Sequence, residues 1–308
     1  MDKILNPSPP IVSQGRLSWH LSKLLLPRLC WLNLLGGWLT LWDSFGTPGD
    51  TLLTAAVARV IKHRFPSLKL NCITPNPELL KHDSAINSLN GPPSQVLLRF
   101  WYLEIIHGKD GVTNILGPTL AQAGIRDYEY RSRVFLTDCE TEDARMVMSQ
   151  ASKPIITINV QSREKVKVWP ESRWQELVNK LSSDYEVVQL GAQDEPEIEG
   201  TMRLAGKLSL RQSMACLSLA RLHIGSVSFL MHAANGLGVA SVIIYGGRET
   251  PKNSGYAQNE NLYSAMPCSP CWLHDSHGDR CPHQMKCMDD ISVDQVFGAC
   301  LKILGKKE

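Results

Sequence analysis

Residues 38–74 read WLTLWDSFGTPGDTLLTAAVARVIKHRFPSLKLNCIT, and their order decides the fold. The short apolar run from Trp38 to Asp43 predicts a strand. SFGTPGD, residues 44–50, is a Gly/Pro-rich turn. From Thr51 to Phe65 the apolar side chains Leu52, Ala55, Ala56 and Ile61 recur at helical spacing, and Pro66 stops the helix. Lys69 to Thr74 predicts a second strand, closed by Pro75 and Pro77. Strand, helix and strand in this order make a βαβ unit, which implies a parallel sheet.

The same pattern returns further along. Residues 75–150 are less regular, with a Gly-Pro-Pro turn at 91–93, a helix expected over 114–123 and an acidic helix over 140–150. Lys153-Pro154 opens a second α/β run. Strands are expected at Ile155–Asn159, Glu186–Leu190, Leu222–Gly225 and Ala240–Gly246. Helices are expected at Glu171–Leu181, at Ser209–Leu219 with Ser209 as N-cap, and at Ser228–Asn235. Two βα runs with a break near 150 predict an α/β protein of two doubly wound domains, residues 38–150 and 151–308, facing a cleft. Ligands bind such folds at the carboxyl ends of the strands.

Bulk properties narrow the function. The chain has 308 residues, enough for about two domains. With 43% hydrophobic and 20% charged residues it is neither disordered, nor collagen-like, nor a polytopic membrane protein. A net charge of +2 argues against a nucleic-acid partner. The charge is uneven, because residues 1–70 carry eight Lys or Arg against three acids. Within residues 1–37, an apolar and basic N-terminal segment, Leu24 begins the stretch LLLPRLCWLNLLGGWLTLW that runs to Trp42. Pro27, Arg28 and Gly36-Gly37 interrupt it, so an interfacial helix on an anionic membrane surface, a domain-covering helix and a true span are the readings it allows.

Familiar cofactor signatures are missing: there is no GxGxxG after a strand, no GxxxxGK[ST] and no Gly-x-Ser-x-Gly. Four other motifs carry chemistry. In GTPGDTLLT (46–54), Asp50 sits where it can cap a helix or serve as a general base for a hydroxyl. In SREKVKVWPESRW (162–174), cations and hydroxyls between a strand and a helix can hold a diphosphate or simply face solvent. In HIGSVSFLMHAA (223–234), a strand enters a helix through Gly and Ser, and the free N–H groups at Ser228, Phe229 and Leu230 form an anion site. His232 in that helix is either a core histidine or a ligand.

The fourth motif is Cys268-x2-Cys271-x9-Cys281-x5-Cys287. Four thiols in the loop 268–287 suit a structural Zn or Fe ion, and His274, His277 or His283 could replace one of them. Disulfide pairs or free thiols are the alternatives. Five further single cysteines and an odd total of nine point to a reducing compartment.

Together the four motifs, in this order, resemble glycosyltransferase family 9, the ADP-heptose:lipopolysaccharide heptosyltransferases, over residues 38–300. GDTLLTAAVARVIKHRFPSLKLNCIT is similar to that family's first loop, helix and second strand. SREKVKVWPESRWQELVNKL resembles its Lys-x-Trp-Pro segment, and HIGSVSFLMHAANGLGVASVIIYG its donor-site helix and following strand. CSPCW resembles part of its C-terminal loop. The resemblance implies a GT-B fold and inverting transfer from a nucleotide-diphosphate sugar such as ADP-heptose to a glycan acceptor such as lipopolysaccharide core, without a catalytic metal. It implies a cytoplasmic enzyme, working at the inner face of the cytoplasmic membrane if the N-terminal segment touches it. By position Asp50 matches the general base, Lys167, with Ser162 beside it, the donor phosphate ligand, and Glu195 an acidic residue near the nucleoside. The family's donor helix usually begins Asp-Thr/Ser-Gly, whereas Val227, Ser228 and Phe229 stand here. That departure keeps a second reading open, a nucleotide-sugar-binding or assembly protein that has lost catalysis.

Overall fold

The computed structural model describes residues 14–305, with the side chains of the first helix described from Leu25 onward. Residues 1–13 of the apolar and basic N-terminal segment lie outside the described residues. The chain forms two compact units, the first ending at Phe135 and the second beginning at Leu136.

The first unit holds helices α1 (Gln14–Leu35), α2 (Pro48–Arg64), α3 (Leu103–His107) and α4 (Gly117–Gln122). Its strands β1 (Trp38–Asp43), β2 (Lys69–Ile73), β3 (Ser88–Leu89) and β4 (Leu97–Phe100) form one parallel sheet in the order β3-β2-β1-β4. Helix α2 buries Leu52, Leu53, Ala55, Ala56 and Ile61, and Leu39 and Leu41 of β1 are buried as well. The alternate residues Trp38 and Trp42 stay exposed, because successive side chains of a strand point to opposite faces. Strand β4 was not expected from the sequence. It pairs with β1 so that Trp42 lies opposite Arg99.

The second unit contains α5 (Asp138–Val147), α6 (Glu171–Leu181), α7 (Leu210–Ser218), α8 (Phe229–Leu237), α9 (Pro251–Ser254), α10 (Lys286–Asp289) and α11 (Val293–Leu304). Its strands are β5 (Ile155–Asn159), β6 (Glu186–Gln189), β7 (Met202–Arg203), β8 (Leu222–Ser226), β9 (Ser241–Gly246) and β10 (Glu260–Tyr263). They form a parallel sheet in the order β10-β9-β8-β5-β6-β7. Every residue of β8 and β9 is buried, the signature of a parallel sheet covered on both faces. The core joins Ile156, Ile158, Trp169, Trp174, Leu177, Val242, Ile244 and Val296. Trp169 satisfies its indole N–H by donating to the Ile291 carbonyl at 2.8 Å.

After β5 the chain winds outward through β6 and β7, and after β8 it winds the other way through β9 and β10. The reversal falls between β5 and β8. In doubly wound sheets such a reversal is where strand connections diverge and ligands bind.

Two expectations shift. Helix α5, placed before the break by the sequence, belongs to the second unit: it packs on α7, where Arg211 donates to the Glu140 carboxylate. Helix α2 begins at Pro48, not Thr51, because Thr47 caps it. Leu52 is fully buried on α2, so Leu52→Ala is expected to destabilise the first unit by about 2–5 kcal/mol, measured by urea unfolding.

Candidate functional site

In the first unit the polar groups gather where β1 ends. Asp43 is buried and accepts hydrogen bonds from Gly46 N (2.9 Å), Thr51 Oγ1 (2.6 Å) and Thr74 Oγ1 (2.9 Å). Burial lifts its carboxyl above the usual range against those bonds. This network fixes the turn that starts α2. Asp50 is not the N-cap of that helix. Thr47 holds the position, accepting from Asp50 N at 3.3 Å, and Asp50 is the third helical residue. The Asp50 carboxylate accepts from Thr47 Oγ1 at 2.6 Å and from Tyr102 Oη at 2.8 Å. Tyr102 follows the unexpected strand β4, so the sequence offered no pointer to it.

In the second unit the network lies at the switch point. Asn159 ends β5 and is buried. Its amide donates to Glu195 Oε1 at 2.7 Å and to the Gln161 carbonyl at 3.0 Å, and its oxygen accepts from Ser228 Oγ at 2.9 Å. Glu195 also accepts from Val160 N and Ala192 N. Burial pushes its pKa up to about 7 against those bonds. The loop can carry Glu195 this close only because Gly191 has no side chain, since a Cβ there would stand 1.8 Å from Glu195 Oε1. Gly191 also has a φ of 140°, in the region only glycine occupies readily.

Lys167 joins the same group. Its Nζ donates to the Val227 carbonyl at 2.9 Å and lies 4.0 Å from Glu249 Oε1, while Ser226 Oγ donates to the Lys167 carbonyl. Glu249 is buried against Arg248 (3.0 Å) and Ser254 (2.7 Å). Burial alone would raise its pKa, but Lys167, Arg248 and Ser254 outweigh it and hold the carboxyl low. Ser228 precedes α8 in an extended conformation but does not cap it, because its hydroxyl is turned to Asn159. Phe229 is half-buried and Leu230 buried at the start of α8. Ser162 is half-buried on the loop after Asn159 and enters none of these bonds. His232 is buried, with Nδ1 2.8 Å from the Tyr256 hydroxyl, and burial brings its pKa down to about 4. It is a neutral core histidine at pH 7.

The structure thus gathers Lys167, Glu195 and Ser228, together with the backbone of Phe229 and Leu230. Glu249 and Asn159 were missed because their partners are remote in sequence.

The cysteine loop packs beside this group. All four of its cysteines are free thiols. Burial raises Cys271 and Cys287, and the charges of neighbouring loop cysteines raise them further. Among the described residues, however, the donor atoms lying within 4.8 Å of one another belong to Glu164, His274 and His277, not to the four cysteines. That trio is already hydrogen-bonded. Glu164 accepts from Ser276 N (3.0 Å), Ser276 Oγ (2.8 Å) and His274 Nδ1 (3.1 Å), and Arg248 Nη2 lies 3.1 Å from His274. In return Asp275 accepts from Lys165 N and Val166 N, both at 2.8 Å. Two carboxylates, exchanged between loops, clasp the segment carrying Lys167 to the cysteine loop.

Glu195 makes a pH prediction. The folded state holds its proton more tightly than the unfolded chain, whose carboxyl titrates at about 4.3. Its contribution is therefore complete below that pH and is lost as pH rises toward about 7. Urea unfolding between pH 4 and 8 is expected to lose about 1–3 kcal/mol through this group, and Glu195→Gln is expected to flatten that slope.

Comparison with known proteins identifies the fold and the family. The family model of glycosyltransferase family 9 (heptosyltransferase) matches residues 119–278. Among curated proteins no sequence matches. Solved structures do match in fold. A family 9 glycosyltransferase from Veillonella parvula aligns at 15% identity with a TM-score of 0.68, over 87% of this chain and 97% of that one. The iron-containing dodecameric glycosyltransferase TibC from enterotoxigenic E. coli aligns at 20% identity with a TM-score of 0.69, over 87% and 76%. ADP-heptose lps heptosyltransferase II of E. coli aligns at 15% identity with a TM-score of 0.66, over 87% and 98%. The two Rossmann-like parallel-sheet units are those of a GT-B glycosyltransferase. With its family model spanning more than half the sequence, this chain belongs to glycosyltransferase family 9.

Proposed function

We propose that the protein transfers a sugar of the heptose class, with inversion, from an ADP-sugar to a hydroxyl of a glycan acceptor such as lipopolysaccharide core. The observation that carries this reading is the group at the β5/β8 switch point, where the Lys167 ammonium lies beside Val227, just ahead of the uncapped start of α8. Free N–H groups, a helix dipole and an ammonium make a diphosphate site. Glu195, one strand over, suits the hydroxyls of a ribose. TibC, of the same fold, has been solved in complex with ADP-D-beta-D-heptose.

In the proposed reaction Asp50 accepts the proton of the acceptor hydroxyl. That oxygen forms a bond to the anomeric carbon from the face opposite the nucleotide, and the bond from the anomeric carbon to the diphosphate oxygen breaks. Lys167 and the α8 amides neutralise the charge gathering on the leaving diphosphate. Tyr102 and Thr47 hold the Asp50 carboxylate while it waits for a substrate. A second reading, a donor-binding protein without turnover, draws on Phe229, a bulky residue at the first position of α8. Transfer assays separate the two.

The four free thiols of the cysteine loop fit a thiophilic ion in donor chemistry. When bound, a Zn or Fe ion would cross-link that loop without touching the reaction. Among the described residues no helix is long and apolar enough to cross a membrane. At the end of α1, Trp31, Leu34 and Leu35 are 62%, 77% and 63% exposed, and this corner suits contact with the bilayer face of a glycolipid acceptor. Unpaired cysteines throughout suit a cytoplasmic location.

Asp50→Asn is expected to keep ADP binding, measured by calorimetry, and to lower turnover by roughly 10²-fold or more. Wild-type turnover would remove Asp50 from the mechanism. Lys167→Ala is expected to weaken ADP binding by roughly tenfold or more, the scale of a lost charge-assisted contact. For the loop, elemental analysis of purified protein is expected to find one Zn or Fe per chain, lost in Cys271→Ser.

A further inference from the structure

The first unit carries a cation that the reaction above does not use. Arg99 lies on β4 opposite Trp42 of β1, and the two side chains leave the sheet on the same face. The Arg99 guanidinium carbon stands 4.8 Å from the Trp42 ring centroid and 4.2 Å from that of Trp101. The guanidinium is therefore held against two indoles. Neither indole is sealed off: Trp42 is 40% exposed and Trp101 half-buried.

An arginine in such a position ordinarily also pairs with a carboxylate or a carbonyl. Among the described residues none accepts from Arg99, and its Nε is buried with no hydrogen-bond partner. The four N–H donors of its two Nη atoms are thus set against aromatic rings and have no protein acceptor. A planar fork of that kind matches a carboxylate or phosphate with two parallel hydrogen bonds.

The position of this fork points to its ligand. Trp101 stacks on Phe45 at 5.9 Å, Phe45 lies 4.3 Å from Tyr102, and Tyr102 donates to Asp50. One continuous run of aromatic rings joins the Arg99 guanidinium to the Asp50 carboxylate, across the carboxyl ends of β1 and β4. Aromatic faces suit the apolar faces of sugar rings, and the free cation suits a negative group on such a ring.

We propose that Arg99, stacked on Trp42 and Trp101, binds a carboxylate or phosphate carried by the acceptor glycan and so positions its hydroxyl toward Asp50. This inference rests on the assignment of Asp50 to the acceptor. The acceptor class it names is an acidic or phosphorylated sugar, not a neutral one.

The test uses the full-length protein with 15N-labelled tryptophan, and the Trp42 and Trp101 indole signals assigned through Trp42→Phe and Trp101→Phe. D-glucuronate, glucose 6-phosphate and neutral D-glucose are titrated separately, and ADP is titrated in parallel. Saturable shifts of both indoles are expected with at least one of the two anions, and whichever acts identifies the anionic group. D-glucose is expected to bind roughly tenfold more weakly or worse, the scale of a lost charge-assisted pair. Arg99→Gln is expected to remove that preference, and Arg99→Lys to restore it only in part, because an ammonium keeps the charge but not the planar fork. ADP binding and the thermal midpoint are expected to be unchanged in Arg99→Gln. Shifts of equal size in Arg99→Gln, or no saturable shift with either anion, would overturn the inference. Failure of the wild-type protein to bind ADP would instead overturn the transferase reading.

Discussion

One buried amide organises the second unit. Asn159 closes β5 at the point where the sheet reverses its winding, and its side-chain amide donates and accepts at once. Its nitrogen binds Glu195 and its oxygen binds the hydroxyl of Ser228. The first bond brings in the loop after β6, and the second turns Ser228 away from the cap of α8. A helix start left open and a carboxylate held beside it are thus two consequences of one side chain. An aspartate at 159 would set two carboxylates together, and a leucine would leave Glu195 and Ser228 without their partner, each at a cost typical of unsatisfied buried polar groups.

Most of this framework was legible because it is written in local patterns. The apolar runs at Trp38–Asp43, Ile155–Asn159 and Ala240–Gly246 read as strands, and the capping chemistry of Ser209 fixed the start of α7. Strand β4 was not legible. Leu97–Phe100 is short, follows an irregular stretch and carries a charge at Arg99, which makes sense only once Trp42 is placed opposite it. Tyr102 went unseen for the same reason. Glu249 and the Glu164–Ser276 contact were hidden by distance along the chain, since no periodicity links residues that far apart. His232 showed the converse, since its position in a motif suggested a ligand while its burial against Tyr256 makes it part of the core.

The cysteine loop is more than an appendage. Gly246 and Gly247 lack the side chains that would strike Met288 and Ser269, so the loop lies directly on the end of β9. Cys271 N donates to the Gly247 carbonyl, Trp272 N to that of Arg248, and Arg248 Nε to that of Leu273. With Glu164 and Asp275 exchanging hydrogen bonds across to residues 274–276 and 165–166, the loop holds the segment that ends in Lys167 from one side while β9 holds it from the other. Order in the loop and the placement of that ammonium are therefore coupled through these two carboxylates, while backbone bonds tie the loop to the end of β9.

The departures at Val227 and Phe229 are best weighed against that placement. Position 227 lacks the acid usual at the start of this helix, yet Lys167 contacts residue 227 through its carbonyl, a group that every residue supplies. A carboxylate is still present, because Glu249 reaches to 4.0 Å from the ammonium and stays ionised through Lys167 and Arg248. The Lys167 ammonium thus stays beside an open helix start. Phe229 adds bulk at α8 but leaves its backbone N–H where it was. In the proposed reading the backbone of α8 and Lys167 would meet the electrostatic demand of a diphosphate, and the two departures remove neither. On that reading, what Val227 and Phe229 would alter is the shape offered to the rest of a donor, and so the sugar selected.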